Sequence, residues 1–204
     1  MKNNKCLLDC NHICGNKEFT SPEAVSTEGA ISTQKDITSY INKLIHSDRF
    51  ALIHLKQGEY FVSKGNPAVV STVLGPCVSV TLHHPKMRIG AITHGFLPEA
   101  RYNKKKSVQN PGRFVDSSTE IVYEQMLGLG AKNRDLEVKL FGGAKILENK
   151  SAQAVGVGRS NVQVALRTLE KMGLKVKVVE VGGNHSRKIY FLPHSGEVWV
   201  KKFS

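Results

Sequence analysis

The sequence predicts a mixed α+β domain: an α/β sandwich with a largely antiparallel sheet core, two long helices packed on it and an N-terminal helical appendage. Three observations lead there. Short apolar segments bounded by Gly, Pro and Asn outnumber helical stretches, and many are close enough in sequence to pair as hairpins. Two longer stretches, starting near Asp116 and Ser160, carry apolar residues at helical spacing. The 204 residues are 40% hydrophobic and 23% charged, which suits a globular chain able to bury a proper core.

Residues 1–34 are polar, cannot cover a core, and read as a flexible tail. Cys6, Cys10, His12 and Cys14 cluster there, on one face if the segment is helical. Their spacing is not that of a zinc knuckle, and no second ligand pair follows. A tail without metal is the preferred reading. Residues 35–58 form a helix-and-strand extension. Ile37, Tyr40, Ile41, Leu44 and Ile45 give one buried stripe behind an N-cap at Asp36.

From residue 59 to 204 runs the main domain. Strands are expected at Phe50–Leu55 and Glu59–Val62 around a Lys-Gln-Gly turn, then at Val69–Val73, and at Val78–Leu82 as a half-buried strand. Another runs from Met87 to Leu97. Glu99–Gly112 is a basic loop that overhangs the preceding strand or is simply solvated. A helix starts at Asp116 or Ser117, with Ser117 and Glu120 as a capping box. Leu136–Phe141 is a strand running into Gly142-Gly143. A second helix starts at a Ser160 or Asn161 cap and stops at Gly173. Val176–Val181, Lys188–Leu192 and Glu197–Phe203 complete the sheet. His54, His83, His84, His185 and His194 read as surface or turn histidines. Gly156-x-Gly158 before a helix is a weak anion-binding signal.

The formal net charge is +12. That excess suits an acidic partner, nucleic acid or an anionic surface, or serves only solubility. The basic residues are dispersed apart from Lys104–Lys106 and Lys201-Lys202, with no aromatic-studded stripe, so an acidic protein surface fits at least as well as DNA. No apolar run approaches the ~20 residues of a membrane span. Met1–Gly15 lacks the apolar stretch of a signal peptide, so the expected location is the cytoplasm, with no membrane insertion.

The chemistry concentrates at Cys77 and His94. Ser71-Thr72-Val73-Leu74 runs into Gly75-Pro76-Cys77, and Thr93-His94-Gly95 ends a neighbouring strand. A thiol and an imidazole are the minimum parts of a cysteine nucleophile and its base. Alone, that pairing is outweighed by the ordinary reading of a buried structural cysteine.

A resemblance changes the balance. Leu74-Gly75-Pro76-Cys77-Val78, Ile89-Gly90 and His94-Gly95-Phe96-Leu97-Pro98 resemble the signature of CheD, the chemoreceptor glutamine deamidases of bacterial chemotaxis. Arg113-Phe114-Val115-Asp116, Lys139 to Ala144, Asn161, and Gly182-Gly183-Asn184 with Arg187 follow in the same order, so the likeness spans about Tyr60 to Lys202. It implies hydrolysis of glutamine side chains on receptor cytoplasmic helices, with no cofactor and no metal. Cys77 would be the nucleophile, held as thiolate by His94, which then acts as acid and base. A hydroxyl on the preceding strand would orient the His; register favours Ser71, or Thr72 if it slips by one. Gly75, Gly142, Gly143, Gly182 and Gly183 would line the substrate pocket. A CheC-like phosphatase is an implied partner. Ser71, for the family's Thr, and Pro76, which removes an N–H where the family usually has Ser, are departures. They leave open an inactive or weak receptor- or CheC-binding module of the same fold. Nucleic-acid binding rests on charge alone.

Overall fold

The structure, a computed structural model, describes residues 34–47, 49–100, 109–145 and 152–203. The cysteine-containing tail and Lys104–Lys106 lie outside them. The elements in order are α1 (Gln34–His46), β1 (Ala51–His54), β2 (Tyr60–Val62), β3 (Ala68–Leu74), β4 (Val78–His84), β5 (Ile89–Thr93), α2 (Val115–Gly128), β6 (Glu137–Gly142), α3 (Ala152–Lys171), β7 (Val176–Val181), β8 (Ser186–Phe191) and β9 (Val198–Phe203).

Two sheets, not one, form the core. The first has the order β1-β3-β8-β9 and the second β2-β5-β4-β6-β7. The β1–β3 and β6–β7 pairs are parallel; the others are antiparallel, as the sequence led us to expect. The layers follow from which residues each face buries. Val78, Val80 and Leu82 of β4 pack with Val122 and Met126 of α2 and Val162, Ala165 and Leu169 of α3. Val70 and Leu74 of β3, with Ile189 and Phe191 of β8, meet Ile92, Phe141 and Cys77 between the sheets. On the far side of the first sheet Ile41 of α1 joins Val69, Leu192 and Trp199, with Tyr40, Leu44 and Ile45 around them. The apolar stripe of α1 is therefore spent on the domain itself.

Several expectations change for physical reasons. All seven residues of β4 are buried, so its Ser79 and Thr81 face the other sheet and not solvent. For the same reason His83 and His84, expected on the surface, are buried; His83 lies under Gly196, where an added Cβ would meet its ring at 2.3 Å. The capping box at Ser117 and Glu120 is absent. The helix begins at Val115 without a side-chain cap, and the Asp116 carboxylate accepts from the N–H groups of Ala100 (3.1 Å) and Ser117 (2.7 Å). α3 begins at Ala152, so Asn161 is interior to it and Gly156 and Gly158 are helical rather than a loop before it. Gly158 is where α3 crosses the end of β6: a Cβ there would meet the Gly143 carbonyl oxygen at 2.7 Å.

Glycines at the β6 end can be separated by experiment. Gly142 has φ +109°, and a Cβ would lie 2.1 Å from the Cys77 carbonyl oxygen; Gly182 has φ +74° and open space around it. Gly182→Ala is expected to cost about 1–2 kcal/mol, the left-handed penalty alone. Gly142→Ala adds a backbone clash and is expected to cost clearly more, read as the difference in urea midpoints.

Candidate active site

The site sits between the sheets, where β3 turns into β4. Alternation along β3 places Val70, Thr72 and Leu74 on the inward face and Val69, Ser71 and Val73 on the other. Val73 is 52% exposed, which marks the outward row. Thr72 therefore faces the second sheet, and its Oγ1 lies 2.6 Å from His94 Nδ1. Ser71 does not reach that histidine; its hydroxyl is 2.8 Å from His54 Nδ1, on the opposite face. The ungapped register thus named the wrong neighbour, and Thr72 holds the orienting position.

The same logic brings Cys77 to His94. β4 and β5 pair Thr81 with Ile92, and that register continues to the bridge Val78–Gly95. Ser79 is then opposite His94 and Cys77 opposite Phe96. Cys77 and His94 form a diagonal pair on one face, a separation of roughly 7–8 Å between backbones. Gly95 leaves room for α2: its Cβ would meet Val115 Cα at 2.9 Å.

The hydrogen bonds fix the tautomer. Thr72 Oγ1 donates to the Leu55 carbonyl at 2.7 Å, which uses its one hydrogen. The oxygen can then only accept from His94, so Nδ1 carries the proton. The Leu55 carbonyl also favours the protonated ring, as a neighbouring acceptor must. That leaves the lone pair on Nε2, which is buried with no hydrogen-bond partner. An unpartnered basic nitrogen in a closed site is what a general base requires.

Comparison with known proteins fits this arrangement. A family model described as CheD chemotactic sensory transduction matches residues 96–202. A protein of Maridesulfovibrio salexigens named probable chemoreceptor glutamine deamidase CheD is 42% identical over 143 residues, 67% of this chain and 83% of that one. One of Pyrococcus horikoshii with the same name is 37% identical over 146 residues, 71% of this chain and 88% of that one. Probable chemoreceptor glutamine deamidase CheD 2 of Geobacter sulfurreducens is 40% identical over 153 residues, 74% and 90% of the two chains. The chain belongs to the CheD family. Among solved structures, Neisseria meningitidis protein NMB0706 aligns with TM-score 0.38 and 8% identity over 79% of this chain and 74% of that one, too distant to argue from.

In this CheD chain the glycines and Arg187 frame the Cys77 turn. Gly143 N–H donates to the Cys77 carbonyl (2.8 Å) and Ala144 N–H to that of Gly75 (2.8 Å). The buried Arg187 guanidinium donates to the carbonyls of Gly142 (2.6 Å) and Gly182 (2.7 Å), tying β8 to the ends of β6 and β7. Gly183 gives its carbonyl to Lys145 N–H at 2.7 Å. Asn161 reaches from α3 to the turn, its Nδ2 donating to the Pro76 carbonyl (2.9 Å) and to that of Phe96 (3.3 Å). Pro76 thus lacks an N–H but its carbonyl is anchored.

Electrostatically the empty site rests neutral. Burial pushes the Cys77 thiol up to about 11, against smaller lowering from its own backbone N–H and from Gln57. Burial likewise pulls His94 down to about 4. The expected thiolate–imidazolium pair is therefore not the resting state, because both charged forms lose more solvation than the site returns. Gln57, which the sequence offered only as part of a turn, donates from Nε2 to Cys77 Sγ at 3.6 Å. Among the described residues no cluster of three or more His, Cys, Asp or Glu could hold a metal, and no helix is long and apolar enough to cross a membrane.

Two measurements follow. Cys77 alkylation should climb with pH through 9 without the low-pH plateau that a resting thiolate would give; a plateau below pH 7 would contradict the neutral pair. Below pH 6.5 the unfolded chain protonates its histidine while folded His94 stays neutral down to about 4. The unfolded state then binds more protons, so this group's contribution to stability falls as pH drops from 6.5 toward 4. Melting temperatures of the wild type and His94→Gln should converge over that window.

Proposed function

We propose that the chain hydrolyses glutamine side chains of chemoreceptor cytoplasmic regions to glutamate, through a thioester on Cys77. The observation that carries this is the bare Nε2 of His94 on the same inter-sheet face as the Cys77 thiol, with Nδ1 held by Thr72, in a chain whose relatives are named for that activity.

The steps balance as follows. Nε2 takes the Sγ proton as sulfur attacks the amide carbon, so the charges of attack arise only when an acceptor is present. The oxyanion forms beside the Cys77 N–H, which already faces the sulfur. The imidazolium returns its proton to the leaving nitrogen, and ammonia departs. Water then gives a proton to Nε2 and attacks the thioester. Glutamate leaves and the thiol is restored. Net, one water is consumed and one ammonia released per glutamine. The ion pair is uphill in the empty site, given the thiol at about 11 and the imidazole at about 4. Contact between the opposite charges and the oxyanion donor offset that cost only during the reaction.

A binding module without turnover is the second reading, favoured by Pro76, which offers no second oxyanion donor next to Cys77. Receptor fragment with wild-type protein should release ammonia and gain ~1 Da per modified glutamine, while Cys77→Ala should do neither. Receptor binding without ammonia would favour the module. Thr72→Val should lower kcat by about tenfold or more, since the imidazole loses its orienting acceptor, with Thr72→Ser restoring much of it. Ser71→Ala, whose hydroxyl faces His54, should leave kcat within about twofold.

A further inference from the structure

Cys77 is only 3% exposed, yet the side chain that hydrogen-bonds its sulfur is itself exposed. That side chain is Gln57, on the connection between β1 and β2. Its Nε2 donates to Sγ at 3.6 Å, the one hydrogen bond that the described residues give the sulfur from another side chain. Gln57 carries a primary carboxamide, the same functional group as the proposed substrate. We propose that Gln57 is a resident placeholder: its amide fills the position of the substrate carboxamide, and an incoming glutamine must displace it. This rests on the deamidase reading of the site and names the residue that controls access to it.

The surroundings suit a side chain that swings on a fixed backbone. Gly58 N–H donates to the His94 carbonyl at 2.8 Å, and Glu59 accepts from His94 N–H at 2.9 Å. Lys56 N–H donates to the Glu59 carboxylate at 2.8 Å. Gly112 packs so closely that a Cβ there would lie 2.1 Å from the Gly58 carbonyl oxygen, and Arg113 and Phe96 back Gly58. The loop backbone is clamped on both sides of Gln57. Only its side chain, with three rotatable bonds and an exposed position, is free to leave.

The geometry is also non-productive. Attack requires the amide carbon facing sulfur, whereas Gln57 presents its nitrogen. The residue therefore occupies the site without being consumed. An exposed, polar plug explains how a cysteine only 3% exposed can serve a substrate: its sulfur is capped by a carboxamide that another carboxamide replaces one for one. The exchange keeps a carboxamide over the sulfur, so the site is not opened to water.

The test needs no receptor, so its failure is distinct from failure of the deamidase reading. The full chain with Cys6, Cys10 and Cys14 changed to Ser reports only Cys77. Iodoacetamide, itself a small carboxamide, is the probe, followed by intact mass. Gln57→Ala is expected to alkylate about three- to tenfold faster than its parent, the factor that release of one weak hydrogen bond gives, even though loss of the Gln57 N–H lets the thiol rise a little further. Propionamide should protect Cys77 at lower concentration in Gln57→Ala than in the parent. With receptor fragment, KM should fall. Alkylation at the same or a lower rate would show that Gln57 does not guard the sulfur and overturn the proposal. So would a ~1 Da gain at Gln57 itself, which would make it a substrate.

Discussion

The hydrogen bond from His94 Nδ1 to Thr72 spans the gap between the two sheets, and the site's chemistry depends on it. Thr72 belongs to β3 of the first sheet and His94 follows β5 of the second. Their 2.6 Å contact, backed by the 2.7 Å bond from Thr72 to Leu55, joins the layers at the edge of the inter-sheet core. It costs little because every participant is satisfied, and a buried polar group is expensive only when it is not. The exception is Nε2, buried with no hydrogen-bond partner. One unsatisfied nitrogen in an otherwise closed network is a small stability cost.

Burial gives the site both its rigidity and its dormancy. The inter-sheet layer that positions Cys77 and His94 also strips them of water, so neither is charged at rest. A free thiolate would react with any passing electrophile or oxidant. A buried thiol that stays neutral is protected from them. The Gln57 plug acts in the same direction, excluding small molecules that carry no carboxamide. The strongly basic composition, +12 over 204 residues, remains compatible with attraction to an acidic protein surface.

Most of the fold was legible. The strand β7, the closing hairpin of β8 and β9, and the buried stripe of α1 follow from local periodicity. What escaped was tertiary. A strand buried on both faces shows no alternation to read: β3 is Ala-Val-Val-Ser-Thr-Val-Leu, and only the exposure of Val73 tells its faces apart. Ser71 and Thr72 are equally polar, so an ungapped alignment could place the wrong one inward. The start of α3 was missed because Gly156 and Gly158 read as breakers. Gly158 is there so that the helix can cross the end of β6, a contact invisible to helical propensity. Asn161 read as a cap for the related reason that its amide serves the Pro76 carbonyl instead of a helix end. Cys77 and His94 were named through the CheD-like motifs around them, since their place at strand ends alone favours a buried structural cysteine. Gln57 was not, since nothing in a Lys-Gln-Gly turn marks the side chain that folds back onto the sulfur.

The central claim is that the fold fixes one tautomer of His94. Nitrogen NMR of the imidazole, with His94 assigned through His94→Gln, tests it at neutral pH in the empty protein. A protonated Nδ1 and a bare Nε2, the pattern lost or mixed when Thr72 becomes Val, is the result this structure requires. A proton resident on Nε2 in the wild type would turn the base's lone pair toward Thr72, away from Cys77, and contradict the account.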